Sequence, residues 1–299
     1  MPKPPELFGF FNIDKPAGMT SHDVINKIRR GLRIKKAGHA GTLDPLATGI
    51  LIVCVGAGTR LSEYAMASQK RYRARVLLGK ETDTYDAEGE VVAEHDPSHI
   101  TQNQVEALLP QFTGDIQQFP PMYSAIKREG KKLYELAREG KTVELEARAV
   151  TISALTLSEW QLPEFTLDIT CGSGTYIRSL AHDIGANLGV GAHLSALTRT
   201  ASGAFTLENA VGLDTLLNTE NWRDFLLPPD TALMHMPDVH LDADDFVHIQ
   251  HGRTPQAIAP APPDAPFARC YSPDGDFIAI LRAEDGIWHP HKVFLNTDS

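Results

Sequence analysis

Within KRYRARVLLG, residues 70–79, hydrophobic and polar positions alternate sharply from Arg71 to Val76. The pattern predicts a strand with Tyr72, Ala74, Val76 and Leu78 on one face and Arg71, Arg73 and Arg75 on the other. Upstream, FGFFNIDKP reads as a strand ended by Pro16, and GILIVCVG as a strand buried on both faces. A helix should start at Thr20 or Ser21 and run to about Leu32. Val24, Ile25, Ile28 and Leu32 fall on its apolar face, and Lys27 and Arg30 on the other. Further helices are expected over roughly 59–68, 102–110, 131–139 and 175–188. The last of these buries Ile177, Leu180, Ala181, Ile184 and Leu188. Strands are expected around 143–157 and 165–171. Hairpins beside single helices lack the steady strand–helix rhythm of a doubly wound sheet. The expected class is therefore α+β, a large mixed or antiparallel sheet flanked by helices.

The pattern changes near PPDTALMHMPD, residues 228–238. Beyond it lie short strand-like pieces, ARCYSPDGDFIAIL with its Pro-Asp-Gly turn and WHPHKVFL. Two domains are expected, 1–235 and a small all-β module at 236–299. A chain of 299 residues with 42% hydrophobic content can bury a core of that size. No run approaches the ~18 apolar residues of a membrane span, and the N-terminus lacks a signal peptide's apolar centre. A cytoplasmic location is expected. Cys54, Cys171 and Cys270 are far apart and form no CxxC, so they read as reduced packing residues.

Charge changes the picture. The net of −10 argues against a nucleic-acid partner until its distribution is seen. Residues 1–80 carry 14 Lys and Arg against 5 Asp and Glu, a net of +9; residues 81–203 net −9 and residues 204–299 net −10. Only the N-terminal region has the sign that phosphate binding needs.

That basic region contains GHAGTLDPLATGIL, residues 38–51. Asp44 precedes a proline, which pushes its backbone toward an extended conformation. Gly41 and Gly49 would let the main chain approach a ligand closely. A carboxylate fixed this way can be a turn-forming Asx, a nucleophile, a general base or a metal ligand. No neighbour has ligand spacing except His39, so a metal is not expected. Tyr72 is either a core tyrosine with its hydroxyl at the rim or a stacking platform for an unpaired base. Thr175 is a plausible N-cap of TYIRSLAHDIG, which puts Arg178 in the first helical turn, where the helix dipole disfavours a cation. An anion such as Asp44 should compensate it. VGAGTR and CGSGTY lack nucleotide-binding spacing, and TDTYDAEGE, with Asp83, Asp86 and Glu88, lacks the calcium-loop pattern. HPHK at 289–292 is a two-histidine fragment without other ligands. All of these are assigned to the fold.

Taken together, NIDKPAGMTSHDVINKIRR, GHAGTLDPLATGIL, KRYRARVLLGKETDTYDAEGE, FPPMYSAIKREGKKLYELAREG, GSGTYIRSLAHDIG and AHLSALTRTASGAF resemble TruB-type tRNA pseudouridine synthases. The resemblance runs from about residue 8 to 212. It implies an isomerase that converts uridine to pseudouridine in the T-loop of tRNA, at position 55. The implied fold is the family's mixed α/β catalytic fold, with no cofactor and no metal. Asp44 matches the family's catalytic aspartate, Tyr72 its base-stacking tyrosine and Arg178 the arginine paired to the aspartate. His39 matches a histidine that helps evict the nucleotide, and Leu197 an apolar residue lining the pocket. Lys15, Lys35 and Lys36 are expected to contact substrate. The tail beyond about 238 is similar to the family's PUA-like RNA-binding module. The T-arm of tRNA is the expected partner, and a monomer the expected state.

The chemistry agrees. Uracil must leave its stack, an aromatic must hold the detached base, and a cation must keep the carboxylate ionised. A tRNA-binding folding factor would use the same surface but has no use for the carboxylate. A relative serving in a guide-RNA particle is a third reading, expected to carry added N-terminal sequence and basic tails.

Overall fold

The computed structural model describes residues 6–123, 127–128, 131–132 and 145–295. Strand β1 (Phe8–Lys15) stops at Pro16, and helix α1 (Ser21–Gly31) follows under a reciprocal cap. The Thr20 hydroxyl accepts from Asp23 N at 3.1 Å, and the Asp23 carboxylate accepts from Thr20 N at 3.0 Å. Next come β2 (Ala37–Ala40), β3 (Thr48–Gly56), a 3-10 turn at Ala57–Leu61, α2 (Ser62–Ala67) and β4 (Lys70–Leu78). Helix α3 (Gln102–Leu108) leads to β5 (Gly114–Gln118), β6 (Arg148–Gln161) and β7 (Glu164–Cys171). Then follow α4 (Ile177–Asn187), β8 (Ala192–Ser202), β9 (Val211–Gly212) and α5 (Leu213–Asn218).

Among the described residues these strands form one ten-stranded mixed sheet in the order β9-β1-β3-β8-β4-β7-β6-β5, with β2 added to β3 and Phe205–Thr206 to β8. Neighbours are antiparallel except for β9 on β1 and β8 on β3. The mixed sheet expected from the pattern is present. So is the alternation of β4, whose residues 70–76 are alternately buried and exposed.

Each face of the sheet buries a separate core. One gathers Val24, Ile25 and Ile28 of α1 and Leu180, Ala181 and Ile184 of α4 over Leu51, Val53, Tyr72, Ala74 and Val76. The other sets Phe8, Phe10, Ile50 and Ile52 against Tyr271, Phe277, Ile280 and Phe294 from the C-terminal segment. That segment is a four-stranded sheet of β10 (Asp238–His240), β11 (Phe267–Tyr271), β12 (Phe277–Glu284) and β13 (Ile287–Val293). It also holds a helix, α6 (Ala243–Gln250), which the strand-like reading passed over. Asp242 caps α6 by accepting from Asp245 N at 2.8 Å. The Phe8 and Phe294 rings stack at 4.7 Å, so the C-terminal sheet completes a core of the main sheet.

Several expectations shift. The helix expected at 59–68 is a 3-10 turn followed by α2, and the strand expected at 143–157 begins at Arg148 and continues to Gln161. In the helix expected at 131–139, Lys131–Lys132 instead pairs with Lys127–Arg128, and the remaining residues lie outside the described ones. Two of the three outward arginines of β4 are neutralised across the sheet, Arg73 by Asp168 and Arg75 by Glu164 on β7. All three cysteines are free and buried, and burial pushes the thiols of Cys54 and Cys270 up to about 12. Among the described residues no helix is long and apolar enough to cross a membrane.

Candidate active site

Asp44 sits in the connection between β2 and β3, held by groups from three directions. Ser21, the first residue of α1, donates its hydroxyl to Leu43 O at 3.0 Å and accepts from Leu43 N at 2.8 Å. From below, Gly18 N donates to Pro45 O at 2.9 Å, and Lys15 Nζ donates to Pro16 O, Met19 O and Pro45 O. From β8, the guanidinium of Arg199, 1% exposed, donates to Ile50 O at 2.7 Å, Gly41 O at 3.1 Å and Thr42 O at 3.4 Å. Buried carbonyls need such donors, and here two cations supply them.

This placement corrects two readings. Lys15 is buried, and burial pushes its ammonium down to about 8; it supports the loop from inside and presents nothing to a substrate. Gly49 serves strand packing, because at φ +89° an added Cβ would lie 2.3 Å from Arg199 O on β8.

Helix α4 brings up Arg178. Its N-cap is Tyr176, not Thr175, whose hydroxyl donates to Gly172 O at 3.2 Å instead. Gln118 of β5 fixes that end of the helix by accepting from Tyr176 N at 2.7 Å and donating to Tyr176 O at 2.9 Å. Arg178 is buried in the first turn, as its position implied, and two carboxylates compensate it. Its Nε lies 3.0 Å from Asp44 Oδ2, and its Nη1 lies 3.3 Å from Asp86 Oδ2. Nη1 also donates to Thr84 O at 3.0 Å, and Nη2 to Tyr123 O at 2.8 Å. Both acids also sit favourably at a helix N-terminus.

Electrostatics at Asp44 are contested. Desolvation by the surrounding protein raises its carboxyl above the ordinary 3.8; Arg178 pulls it down, and Asp86 adds to the rise. The cation opposes protonation without outweighing desolvation, although the side chain remains 40% exposed.

Asp44, Tyr72, Arg178 and Leu197 line one cavity of about 310 Å³. Residues 41–43, Met66, Lys70 and Arg199 complete its wall, together with residues 172–177 leading into α4. That volume is at the lower end of the ~300–1,000 Å³ of small-molecule sites. Tyr72 stands opposite Arg199 in the β4–β8 ladder. Burial pushes its phenol upward, while Arg199 pulls it down. Its largely buried ring is a flat apolar surface on the wall of the cavity.

The other expected substrate contacts lie outside the cavity lining. His39 is half-buried on β2, opposite Val53, and among the described residues its Nδ1 has no hydrogen-bond partner. Burial, then Arg199 and His22, hold its imidazole below the ordinary range. Lys35 and Lys36 are exposed just before β2. Among the described residues no three His, Cys, Asp or Glu side chains are grouped to hold a metal.

Two residues escaped the sequence reading. Asp86 looked like part of a failed calcium loop, yet its carboxylate is buried on Arg178. Arg199 lies in ALTRT beside Leu197, and only its position on a central strand shows its role. A buried arginine facing glycine-flanked carbonyls leaves no periodic signal.

Residues 29–177 match the family model of the TruB family pseudouridylate synthase N-terminal domain, and residues 178–234 that of the tRNA pseudouridylate synthase B C-terminal domain. Over 292 residues the chain is 43% identical to the tRNA pseudouridine synthase B of Dehalococcoides mccartyi, covering 96% of this chain and 97% of that protein. With the protein of that name from Symbiobacterium thermophilum it is 50% identical over 253 residues, 84% of each. Among solved structures it resembles a chain of a Cbf5-Nop10-Gar1 complex, with a TM-score of 0.77 and 27% identity over 99% of this chain and 90% of that one. A chain of an H/ACA RNP bound to a substrate RNA containing 2'-deoxyuridine gives a TM-score of 0.75 at 25% identity, again over 99% and 90%. Family models spanning most of the chain and near full-length relatives agree: the chain belongs to the TruB family of tRNA pseudouridine synthases, isomerases that form pseudouridine in tRNA.

Proposed function

We propose that this enzyme isomerises the uridine at position 55 in the T-loop of tRNA, with Asp44 as its essential group. One observation carries the reading: among the described residues, Asp44 is the one carboxylate lining the cavity, and Arg178 grips it from the protein side. The target nucleotide leaves its stack and enters the cavity. The C1′–N1 bond breaks, uracil turns, C5 bonds to C1′, and C5 gives up its proton. A carboxylate at this place can attack C1′ or C6, or take a proton from the sugar. Tyr72 gives the free base a ring to lie on. Leu197 closes the pocket on an apolar side, and His39 assists eviction from outside it. No redox change occurs, so the reaction requires no electron carrier.

In this reading the enzyme acts in the cytoplasm as a monomer on the T-arm, without a metal. Residues 1–235 form the catalytic domain, and 236–299 a PUA-like module. The test is release of tritium from C5-labelled uridine in an unmodified T-arm hairpin. Wild type should release label, whereas Asp44→Asn, or a hairpin with cytidine at position 55, should release none. Undiminished release in either case would refute the residue or the position.

A further inference from the structure

Helix α4 delivers two side chains to the turn that carries Asp86. Arg178 pairs with Asp86 and donates to Thr84 O. Four residues on, and so on the same helical face, His182 stacks on Tyr85, with centroids 4.0 Å apart and planes 25° from parallel. Tyr85 lies between Thr84 and Asp86, both of them partners of Arg178. Its φ is +64°, a conformation that an aromatic L-residue keeps only where its surroundings hold it.

The turn's own bonds fix it to β8 and to itself. Leu194 N donates to Tyr85 O and Ala87 N to Leu194 O, both at 3.0 Å. The Asp86 carboxylate accepts from Thr84 Oγ1 at 2.6 Å and from Glu88 N at 3.1 Å. The link from the turn to the helix runs through Arg178 and the ring stack. Asp183, 3.2 Å from Nδ1, and Glu81, 3.8 Å from Nε2, orient the His182 ring; Glu81 also faces His95 at 3.8 Å.

We infer that His182 and Tyr85 are positioning residues for the isomerisation. Their stack sets the spacing between α4 and the Asp86 turn, and hence the angle at which Arg178 meets Asp44. This rests on Asp44 being the catalytic group. Small displacements of a group that orients a reacting carboxylate reduce turnover more than binding.

Steady-state kinetics on an unmodified tRNA transcript test it. His182→Ala should lower kcat about ten-fold with KM within about two-fold, and His182→Phe, which keeps a ring, should bring kcat back to within about two-fold of wild type. In an Asp86→Asn background, His182→Ala should add no further loss, because the stack acts through that carboxylate. Wild-type kcat in His182→Ala, a change confined to KM, failure of the phenylalanine to restore turnover, or losses that multiply in the double variant would each overturn the inference. Asp44→Asn in the same assay separates the two ideas. If it turns over, the catalytic reading has failed; if it is inactive while His182→Ala matches wild type, the inference alone has failed.

Discussion

Arg178 and Asp44 meet at 3.0 Å, and the arginine is the buried partner, 8% exposed against 40% for the carboxylate. The cation is fixed while the acid faces the cavity. Asp86, 4% exposed, explains why the arginine cannot leave: without it, a second carboxylate would be stranded in the interior.

Arg178→Met should therefore damage stability and turnover together. Stranding Asp86 should cost ~3 kcal/mol or more in denaturant unfolding. Turnover, compared at equal folded fraction, should fall at least ~100-fold. Arg178→Lys should restore only part of both, since an ammonium cannot reproduce a planar fork reaching two acids and two carbonyls. Full activity in the methionine variant would detach the arginine from the chemistry.

A second expectation concerns pH. Asp44's carboxyl lies above the ordinary 3.8 in the folded protein, so the folded state holds this proton to higher pH than the unfolded chain does. Between 3.8 and the folded value, this group makes stability fall as pH rises, and near neutrality its charge is a net cost to the fold. In the proposed mechanism turnover needs the charged form, so activity should decline on acidification through a value above 3.8. Asp44→Asn should lose turnover, bind RNA within a few-fold of wild type, and melt no lower than wild type at about pH 7. A marked drop in its melting temperature would show that the carboxylate supports the fold.

The loop's main-chain support can be probed without touching the cavity. Gly49→Ala puts a methyl group against the backbone of Arg199 at positive φ, and should destabilise the protein by at least ~2 kcal/mol. Gly38→Ala, on the neighbouring β2, meets nothing within 4 Å and should be close to neutral. Paired thermal melts of the two variants check the contrast.

Basic residues outside the cavity should grip phosphates. Lys27, Arg30, Arg33, Lys35 and Lys36 are exposed on and after α1, on the chain leading to the Asp44 loop. Replacing Lys35 and Lys36 with alanine should reduce the salt slope of log K by about 0.7–0.9 for each phosphate no longer neutralised, similarly for any hairpin sequence. An unchanged slope would move the phosphate track elsewhere. Truncating the C-terminal segment is a poor control, since Phe277, Ile280 and Phe294 belong to a core of the main sheet.

What could be read in advance followed from local pattern. The alternation of β4 places Tyr72, and a cation in the first turn of α4 signals a missing anion at Arg178. Asp86 and Arg199 make their important contacts with residues far away in the chain, so no window around either one contains the information. Lys15 was misplaced for the same reason: a lysine in a basic stretch resembles a surface charge until Pro16, Met19 and Pro45 turn their carbonyls toward it. Helix α6 was hidden by its brevity and its acidic first turn, both of which suit a capped helix as well as a loop.

Strand β8 sets the timetable for assembly. It lies between β3 and β4, pairing Thr198 with Thr48 across 150 residues of chain. Until residues 192–202 have left the ribosome, β3 and β4 have no partner between them. The Asp44 loop then lacks Arg199, and Tyr72 lacks a neighbouring strand on one side. Such distant pairing is slow to form, because the loop entropy is spent before the contacts repay it. A nascent chain with its basic first 80 residues already exposed can therefore attract RNA well before it can act on it. Recognition by charge becomes available early in synthesis, and catalysis only once two thirds of the polypeptide has been made.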